Sequence, residues 1–408
     1  MVLAEAKNLK ILLLGFGLQG KAVAHDLERN PLVQEIIAAD MEVNKIKDHL
    51  YRHGYKKVRA VPLDASHEGE LNRLVKESGT QIVISMLPVA FGYRAARAAL
   101  DAGIPYVSSN YTGRVAELHD EALEKGITIL PEMGMDPGDD LLLGRMAIGE
   151  LDEVKGLYSY GGGIPESSCA DNPIRYKITW TFDGVLKSYV RPALILKDGK
   201  EISISGKDIF EERNIHPVKV PGIGKMEAYP NGDAVKYIDV FGLGKNVRHM
   251  GRFALRWPGH CQFWRVMVNL GFLEETPEKL NGIQISPRQV LVQHLEPRLQ
   301  FQENERDLVI IEVRAWGLKN GEEKTVTYRL LDYRDLATGL FAMNRTVGYT
   351  ASIGAQMILS GRIQKRGVLS PARGDVPARE VLRELKARGM KVSCRAQRGN
   401  KLVVKNDG

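Results

Sequence analysis

The feature that most constrains the fold of this chain is a glycine-rich turn near its beginning. Residues 10–14 form a short apolar run, and residues 15–20 follow it with the sequence G-F-G-L-Q-G, a complete G-x-G-x-x-G. A helical pattern comes next, and a second apolar run over 35–39 ends at Asp40. A strand, a glycine turn, a helix, a strand and an acid at this spacing are typical of a dinucleotide-binding βαβ unit.

Each part of this pattern has a physical role in binding a dinucleotide. Gly15 permits the tight turn, Gly17 lets the backbone approach a pyrophosphate, and Gly20 lets helix and strand pack closely. The start of the helix then presents free N–H groups and a partial positive charge to the phosphates. A carboxylate at Asp40 accepts hydrogen bonds from ribose hydroxyls and repels a 2′-phosphate, which favours NAD over NADP as the cofactor.

The first half of the chain alternates strand-like and helix-like segments. Apolar runs recur over 59–63, 81–86, 105–109 and 127–130. This alternation predicts the α/β class, with a Rossmann-like, doubly wound parallel sheet whose ligands bind beyond the carboxyl ends of the strands. The predicted cofactor contacts are Gly15, Phe16, Gly17, Leu18, Gln19, Gly20, Asp40, Asp64, Ser85, Leu87, Pro88 and Ser108.

From about residue 150 the pattern changes to segments that alternate like half-buried strands, one of them over 176–181. A hairpin signal stands at Asp198-Gly199. We therefore predict a second domain that is a mixed α/β (α+β) structure. The predicted boundaries are 1–135 for the dinucleotide-binding domain, completed by a helix over 341–365, then 136–340 for the second domain, and 366–408 for a basic C-terminal segment.

The composition is that of a soluble globular protein, with 44% hydrophobic and 26% charged residues. We expect a cytoplasmic protein without a membrane span, a disulfide framework or a metal site, because no apolar run, secretory signal or cysteine spacing indicates one. The net charge of +7 is concentrated in residues 361–408, where 13 Lys and Arg face 4 Asp and Glu. No aromatic residue in that segment can stack on bases, so we predict no nucleic-acid partner and expect an amphipathic helix with a frayed end.

Polar residues and glycines in the later loops and strands are candidates for chemistry. Asp136 either pairs with a cationic substrate close to the transferred hydride or, like Asp139, only caps the next helix. Lys177 is either functional or a surface lysine whose stem lies along apolar neighbours. Arg256 either binds a carboxylate or is an exposed arginine beside a tryptophan. The glycines at 161–163 indicate close approach by a ligand or by another backbone.

Six short motifs occur in a distinctive order over residues 106–111, 133–138, 160–165, 171–180, 229–231 and 255–259. Their order resembles the saccharopine dehydrogenase family, which includes glutamate-forming saccharopine reductases and lysine 6-dehydrogenases. The resemblance implies a homo-oligomeric oxidoreductase that moves a hydride between a nicotinamide and the carbon bearing the side-chain nitrogen of lysine. It also implies that the domain over 136–340 binds the substrate and forms the dimer contact. The substrate contacts implied by the resemblance are Ser109, Asp136, Gly161, Gly162, Trp180 and Arg256.

The substrate stays open between lysine and saccharopine. In saccharopine enzymes the Y-P-N motif is followed by an arginine that is expected to hold a substrate carboxylate, but Gly232 stands here. Saccharopine reductases also commonly use NADP, which Asp40 disfavours. The motifs at 171–173 and 229–231 nevertheless look more like those of the saccharopine enzymes. Two alternatives remain: a carboxynorspermidine-type reductase on the same scaffold and a Rossmann-type redox sensor without enzyme activity.

Amine oxidation requires a neutral nitrogen, whereas the lysine side chain is almost wholly protonated at neutral pH, with a pKa of about 10.4. The site must therefore take up a proton. Our hypothesis is that Arg256 binds the α-carboxylate and that Asp136 pairs with a substrate nitrogen. Lys177 is the candidate base if burial lowers its pKa.

Overall fold

The computed structural model describes residues 8–398 and 401–405, which divide into two compact units. Unit 1 comprises the described residues up to Arg145 together with Asn344–Gly389, and unit 2 comprises Met146–Met343 together with the described residues from Met390 onward.

The described strands are β1 (Leu9–Leu14), β2 (Val33–Asp40), β3 (Val58–Pro62), β4 (Ile82–Ser85), β5 (Tyr106–Ser108), β6 (Thr128–Leu130), β7 (Glu153–Pro165), β8 (Ala193–Lys197), β9 (Lys200–Ile204), β10 (His216–Val220), β11 (Gly224–Pro230), β12 (His249–Arg256), β13 (Glu278–Leu280), β14 (Ile283–Ile285), β15 (Asp307–Lys319), β16 (Glu322–Tyr333), β17 (Gly367–Val368), β18 (Lys391–Arg398) and β19 (Lys401–Lys405). The described α-helices are α1 (Leu18–Glu28), α2 (Val43–His53), α3 (Glu68–Glu77), α4 (Gly92–Asp101), α5 (His119–Glu124), α6 (Asp139–Ile148), α7 (Phe182–Tyr189), α8 (Lys236–Val240), α9 (His260–Asn269), α10 (Pro287–Leu295), α11 (Ala342–Leu359) and α12 (Ala378–Ala387).

Unit 1 is built on a seven-stranded parallel sheet in the order β17-β6-β5-β4-β1-β2-β3. Its central strands β1 and β4 are nearly continuous apolar runs, and all four residues of β4 are buried. Such runs are typical of parallel strands that are covered on both faces. The sheet places β1 beside both β2 and β4, so the glycine turn after β1 lies near the carboxyl ends of its two neighbours.

Unit 2 contains a mixed ten-stranded sheet in which β10-β11-β12-β7-β15-β16-β18-β19 follow one another and β8 pairs with β12 and β9. Only the β12–β7 pair is parallel within this described sheet. The predicted fold class, a Rossmann-like parallel sheet plus a mixed second unit, is therefore confirmed. The hairpin predicted at Asp198-Gly199 joins β8 to β9, with both turn residues at positive φ.

Two local predictions are wrong. Residues 176–181 do not form a strand but lead irregularly into α7, and the Asn172 side chain bonds both the N–H and the carbonyl of Tyr176 there. The basic segment 366–408 is not a separate piece, because its described part divides between β17 and α12 of unit 1 and β18 and β19 of unit 2. The end expected to fray thus includes β18, which pairs with β16 along its whole length.

Helix α12 does form, with Val381, Leu382 and Leu385 buried. No helix within the described residues combines the length and apolarity needed to cross a membrane.

Candidate dinucleotide and substrate sites

The glycine turn of unit 1 has the geometry that a pyrophosphate requires. Gly15 has φ +88°, and a Cβ there would lie 3.0 Å from the Met86 carbonyl group. A Cβ on Gly20 would lie 2.1 Å from the Gly15 carbonyl oxygen. A Cβ on Gly17 would meet no atom within 4 Å, so the space beside Gly17 is open for a ligand. The protein's own packing therefore requires glycine at positions 15 and 20 but not at position 17.

The start of α1 supplies the electrostatic half of this site. Gly17 is the N-cap residue, no side chain caps the helix, and its first turn carries no acid. Its backbone N–H groups and partial positive charge are thus available to an anion. Burial lowers the pKa of Lys21 in the next turn, and the nearby cations Arg52 and Lys45 lower it further. These residues fit the phosphates of a dinucleotide.

Asp40 ends β2 beside the glycine turn, as predicted from its spacing. Its Oδ2 accepts a hydrogen bond of 2.7 Å from the Phe16 N–H, and its Oδ1 accepts one of 3.1 Å from the Glu42 N–H. A carboxylate has about four acceptor positions, so two backbone bonds leave capacity for ribose hydroxyls. The carboxylate is thus held in place by the backbone of the glycine turn.

The remaining predicted cofactor residues follow other strands of the same sheet. Ser85 and Ser108 end β4 and β5 and are buried, whereas Pro88 is exposed after β4. The Leu87 carbonyl accepts a hydrogen bond from the Asn110 side chain. Asp64 follows β3 and is occupied locally, since its Oδ1 accepts from the Ser66 N–H and its Oδ2 lies 3.2 Å from His67.

Ser109 and Asp136 of unit 1 lie beyond β5 and β6. The Ser109 hydroxyl is 3.9 Å from the Met86 sulfur, next to the glycine turn. Asp136 accepts a hydrogen bond of 3.3 Å from the Tyr111 hydroxyl. A Cβ on Gly134 would lie 2.9 Å from the Ser109 Cβ, so the two loops pack closely. Tyr111 was not among the predicted site residues, although it belongs to the motif that contains Ser109.

Asp140, in the first turn of α6, is buried and its Oδ1 accepts a hydrogen bond of 2.8 Å from the Gly138 N–H. Burial raises the pKa of Asp140 to about 7, and the charges of Glu132 and Asp139 contribute to the rise. An acid whose folded-state pKa is raised stabilises the fold fully only below its unfolded pKa of about 3.9, and this stabilisation is lost as the pH rises through the folded value.

We expect Asp140→Asn to make the free energy of unfolding less dependent on pH between pH 4 and 7, by up to about 1.4 kcal/mol per pH unit. Asparagine keeps the Oδ1 acceptor for the Gly138 N–H. Urea unfolding across this range measures the effect. The pKa of Asp307 is also raised to about 7, mainly by burial, so the difference between the variant and the parent isolates Asp140. Identical slopes for the two proteins would contradict this prediction.

In unit 2, Arg256 ends β12 and is only 7% exposed. Its guanidinium carbon lies 5.4, 5.9 and 5.7 Å from the ring centroids of Tyr176, Tyr189 and Tyr229. Its Nη1 donates to the Leu255 carbonyl, and no carboxylate among the described residues forms an ion pair with it. A buried guanidinium without an ion pair in the described part of the chain is costly, and a bound carboxylate would offset that cost.

Hydrogen bonds link the Ile174 carbonyl, His260 and Tyr189, and the ring of Tyr189 packs near the Arg256 guanidinium. His260 is buried, and burial followed by the Arg256 charge holds its pKa well below the usual value, so its ring is neutral. Its Nδ1–H donates to the Ile174 carbonyl at 3.3 Å, which leaves Nε2 to accept from the Tyr189 hydroxyl at 2.8 Å. The Tyr189 oxygen then has lone pairs for Arg256. Burial lowers the pKa of Arg256, but Tyr229, Tyr189 and Tyr176 together raise it above its usual value. The sequence pattern did not signal Tyr189 or His260.

The predicted glycines of β7 serve the protein's own packing in part. A Cβ on Gly162 would lie 2.9 Å from the Leu255 carbonyl oxygen, so the close approach there is to another backbone. Gly161 is half-buried and lies opposite Ala254 in β12 and Ile311 in β15. Trp180 is half-buried, and its ring packs where a Cβ on Gly184 would otherwise stand.

The expectation that burial makes Lys177 a base is wrong. Lys177 is 6% exposed, and burial by itself lowers its pKa. Its Nζ, however, donates to Glu305 and lies 3.1 Å from Asp171, and these two carboxylates raise the pKa above its usual value. Lys177 is therefore a charged ion-pair residue. No cluster of three potential metal ligands occurs in the described parts of the chain.

Comparison with known proteins identifies the family. A profile described as the saccharopine dehydrogenase NADP binding domain matches residues 11–130, and one described as the saccharopine dehydrogenase C-terminal domain matches residues 134–390. The chain belongs to the saccharopine dehydrogenase family. The prediction of the family is thus confirmed, and the description of the profile that matches residues 11–130 supports a nicotinamide cofactor.

Individual members of this family are distant in sequence. A saccharopine dehydrogenase [NADP(+), L-glutamate-forming] from Schizosaccharomyces pombe is 27% identical over 88% of this chain and 93% of its own length. The mitochondrial alpha-aminoadipic semialdehyde synthase of Bos taurus is 26% identical over 93% of this chain, which spans only about half of that relative, 47%. The solved apo saccharopine dehydrogenase (L-Glu forming) from Saccharomyces cerevisiae has 25% identity and a TM-score of 0.83, covering 96% of this chain and 100% of that one.

Proposed function

We propose that this chain is a nicotinamide-dependent amine dehydrogenase of lysine metabolism, acting on the carbon that bears the side-chain nitrogen of saccharopine or lysine. The observation that carries this proposal is Arg256, a buried guanidinium among three tyrosines without a carboxylate partner in the described chain. An amino-acid carboxylate suits such a site, because arginine binds carboxylates through two parallel hydrogen bonds. The dinucleotide turn of unit 1 supplies the other requirement of the reaction.

The proposed reaction balances in two steps. A neutral substrate amine would lose a hydride from its carbon and become an iminium cation. A nicotinamide held at the glycine turn would supply the hydride acceptor. The iminium cation then adds water and splits into an aldehyde and a protonated amine, so that saccharopine gives allysine and glutamate and lysine gives allysine and ammonium. Arg256 orients the substrate through its α-carboxylate. Asp136 accepts a hydrogen bond from the substrate nitrogen. The Tyr111 hydroxyl holds the Asp136 carboxylate in position by donating a hydrogen bond to it.

We further propose NAD as the preferred cofactor, on the basis of Asp40. Its carboxylate is fixed by two backbone N–H groups beside the turn, where it would face the ribose hydroxyls and repel a 2′-phosphate. The family profile and the yeast relatives carry NADP in their names, which favours the other cofactor.

A two-by-two assay tests both proposals: saccharopine and lysine, each with NAD and with NADP, followed by the absorbance of the reduced nicotinamide. Activity with either amine supports the proposed function. Activity with neither would contradict it and would favour the carboxynorspermidine-type reductase or the redox sensor. Activity with NADP alone would contradict the role proposed for Asp40.

Substitution of Asp40 gives an independent measure of the cofactor preference. We expect Asp40→Asn to raise the ratio of kcat/KM with NADP to kcat/KM with NAD by about tenfold or more, because the repulsion of a 2′-phosphate is removed. The ratio is the useful quantity, since the variant also loses one acceptor for the Phe16 N–H and weakens with both cofactors. An unchanged ratio would contradict the prediction.

A further inference from the structure

The turn after β11 contains a glycine, Gly232, and the side chain of Arg191 packs beside it. Gly232 has φ +69° and follows Tyr229-Pro230-Asn231. The position that its Cβ would occupy lies 3.6 Å from Nε and 3.9 Å from Cζ of Arg191. The Arg191 guanidinium therefore lies directly against Gly232, although the two residues are far apart in the chain.

Arg191 is held at this turn by short-range contacts. It follows α7 directly before β8, and its N–H bonds the Ser188 carbonyl. Its Nη2 donates to the Asn231 side-chain oxygen. Strand β8 is in turn tied to the same turn, because the Leu194 N–H donates to the Gly232 carbonyl and the Leu194 carbonyl accepts from the Ala234 N–H. The arginine is thus anchored at both its backbone and its head group.

Arg191 is exposed and forms no ion pair with an acid of the described chain. Arg256 also forms no ion pair with an acid of the described chain, but it is buried. Both arginines lie near enough to the Tyr229 hydroxyl to lower its pKa, against the larger effect of burial, which raises it. Two guanidinium groups that form no ion pair with a described residue, one buried and one exposed, therefore lie near the same tyrosine.

We propose that Arg191 is a specificity residue that binds a second carboxylate of the substrate. This inference rests on the proposed function, because it assigns Arg256 to the α-carboxylate of the same molecule. The substrate class is then a secondary amine whose nitrogen carries a carboxylate-bearing arm, in preference to a primary amine with one carboxylate. Gly232 contributes by leaving the space that the Arg191 guanidinium fills.

The test compares Arg191→Met with the parent enzyme on saccharopine and on lysine, at saturating cofactor. We expect the parent to prefer saccharopine. The variant should raise KM for saccharopine by about tenfold or more, the size of a lost hydrogen bond to a charged group. It should leave kcat with saccharopine and any kcat/KM with lysine unchanged. Arg191→Lys should recover part of the loss, because it keeps the charge without the planar fork.

Arg248→Met is the matched control. Arg248 is also an exposed arginine of unit 2 whose guanidinium lies 3.4 Å from the Cβ position of a glycine at positive φ, Gly199, and donates to a backbone carbonyl. It should behave as the parent does. A parent that prefers lysine, or an Arg191→Met enzyme with an unchanged KM for saccharopine, would overturn this inference while leaving the proposed function intact. Activity with neither amine would overturn both.

Discussion

Replacing Arg256 with methionine is expected to lower kcat/KM for the amino-acid substrate by about 100-fold or more, because truncating one partner of a buried charged pair costs about 2–5 kcal/mol. The same change should not destabilise the unbound protein. Its guanidinium is buried among Tyr176, Tyr189 and Tyr229 and meets no carboxylate in the described chain. Methionine fills much of the volume without the desolvation penalty of a charge.

Steady-state kinetics and thermal unfolding of the same Arg256 variants separate these two effects. Arg256→Lys keeps a positive charge but loses the fork that binds a carboxylate, so its kcat/KM should lie between those of the parent and of Arg256→Met. A strongly destabilised Arg256→Met protein would indicate a structural arginine instead. Unchanged kcat/KM in a stable variant would remove Arg256 from the substrate site.

The second large effect is expected at Gly17. We predict that Gly17→Val folds normally but binds the dinucleotide about 100-fold more weakly, because its side chain occupies the space that the pyrophosphate needs and breaks hydrogen bonds to charged oxygens. Gly17 has φ −67°, which any residue adopts, and a Cβ there meets no protein atom within 4 Å. The loss should therefore be confined to cofactor affinity.

Gly20→Ala is the control for Gly17→Val. A Cβ on Gly20 would lie 2.1 Å from the Gly15 carbonyl oxygen, so alanine forces the turn and α1 apart and should cost about 1–3 kcal/mol of stability. Calorimetric unfolding and titration with the reduced cofactor distinguish the two variants. Native affinity in Gly17→Val would show that the turn does not receive the phosphates.

Parts of the molecule follow from short stretches of sequence. The apolar runs at β1 and β4 predict buried parallel strands because strand burial depends on consecutive residues. The glycine turn and Asp40 can also be predicted from the sequence, because the βαβ unit brings them together at a nearly constant spacing. The segment at 176–181 misled the prediction because its alternating pattern was overridden by local hydrogen bonds from Asn172.

Other properties depend on residues that only the tertiary structure brings together. Glu305 and Lys177 are 128 positions apart, yet their ion pair turns a presumed base into a charged lysine. Likewise, Gly232 taken alone indicates a missing guanidinium. In the structure, the start of β8 bonds to the turn that contains Gly232, and this contact brings the Arg191 guanidinium against Gly232.

The sequence by itself therefore determined the dinucleotide turn, the acid beside it, the fold class and the family, because each rests on local spacing or on ordered motifs. The tertiary structure decided which side chains are charged, which glycines serve the protein's own packing, and which arginines lack an acidic partner in the described chain. These properties depend on burial and on through-space Coulomb interactions, which fall with distance in space and not with separation along the chain.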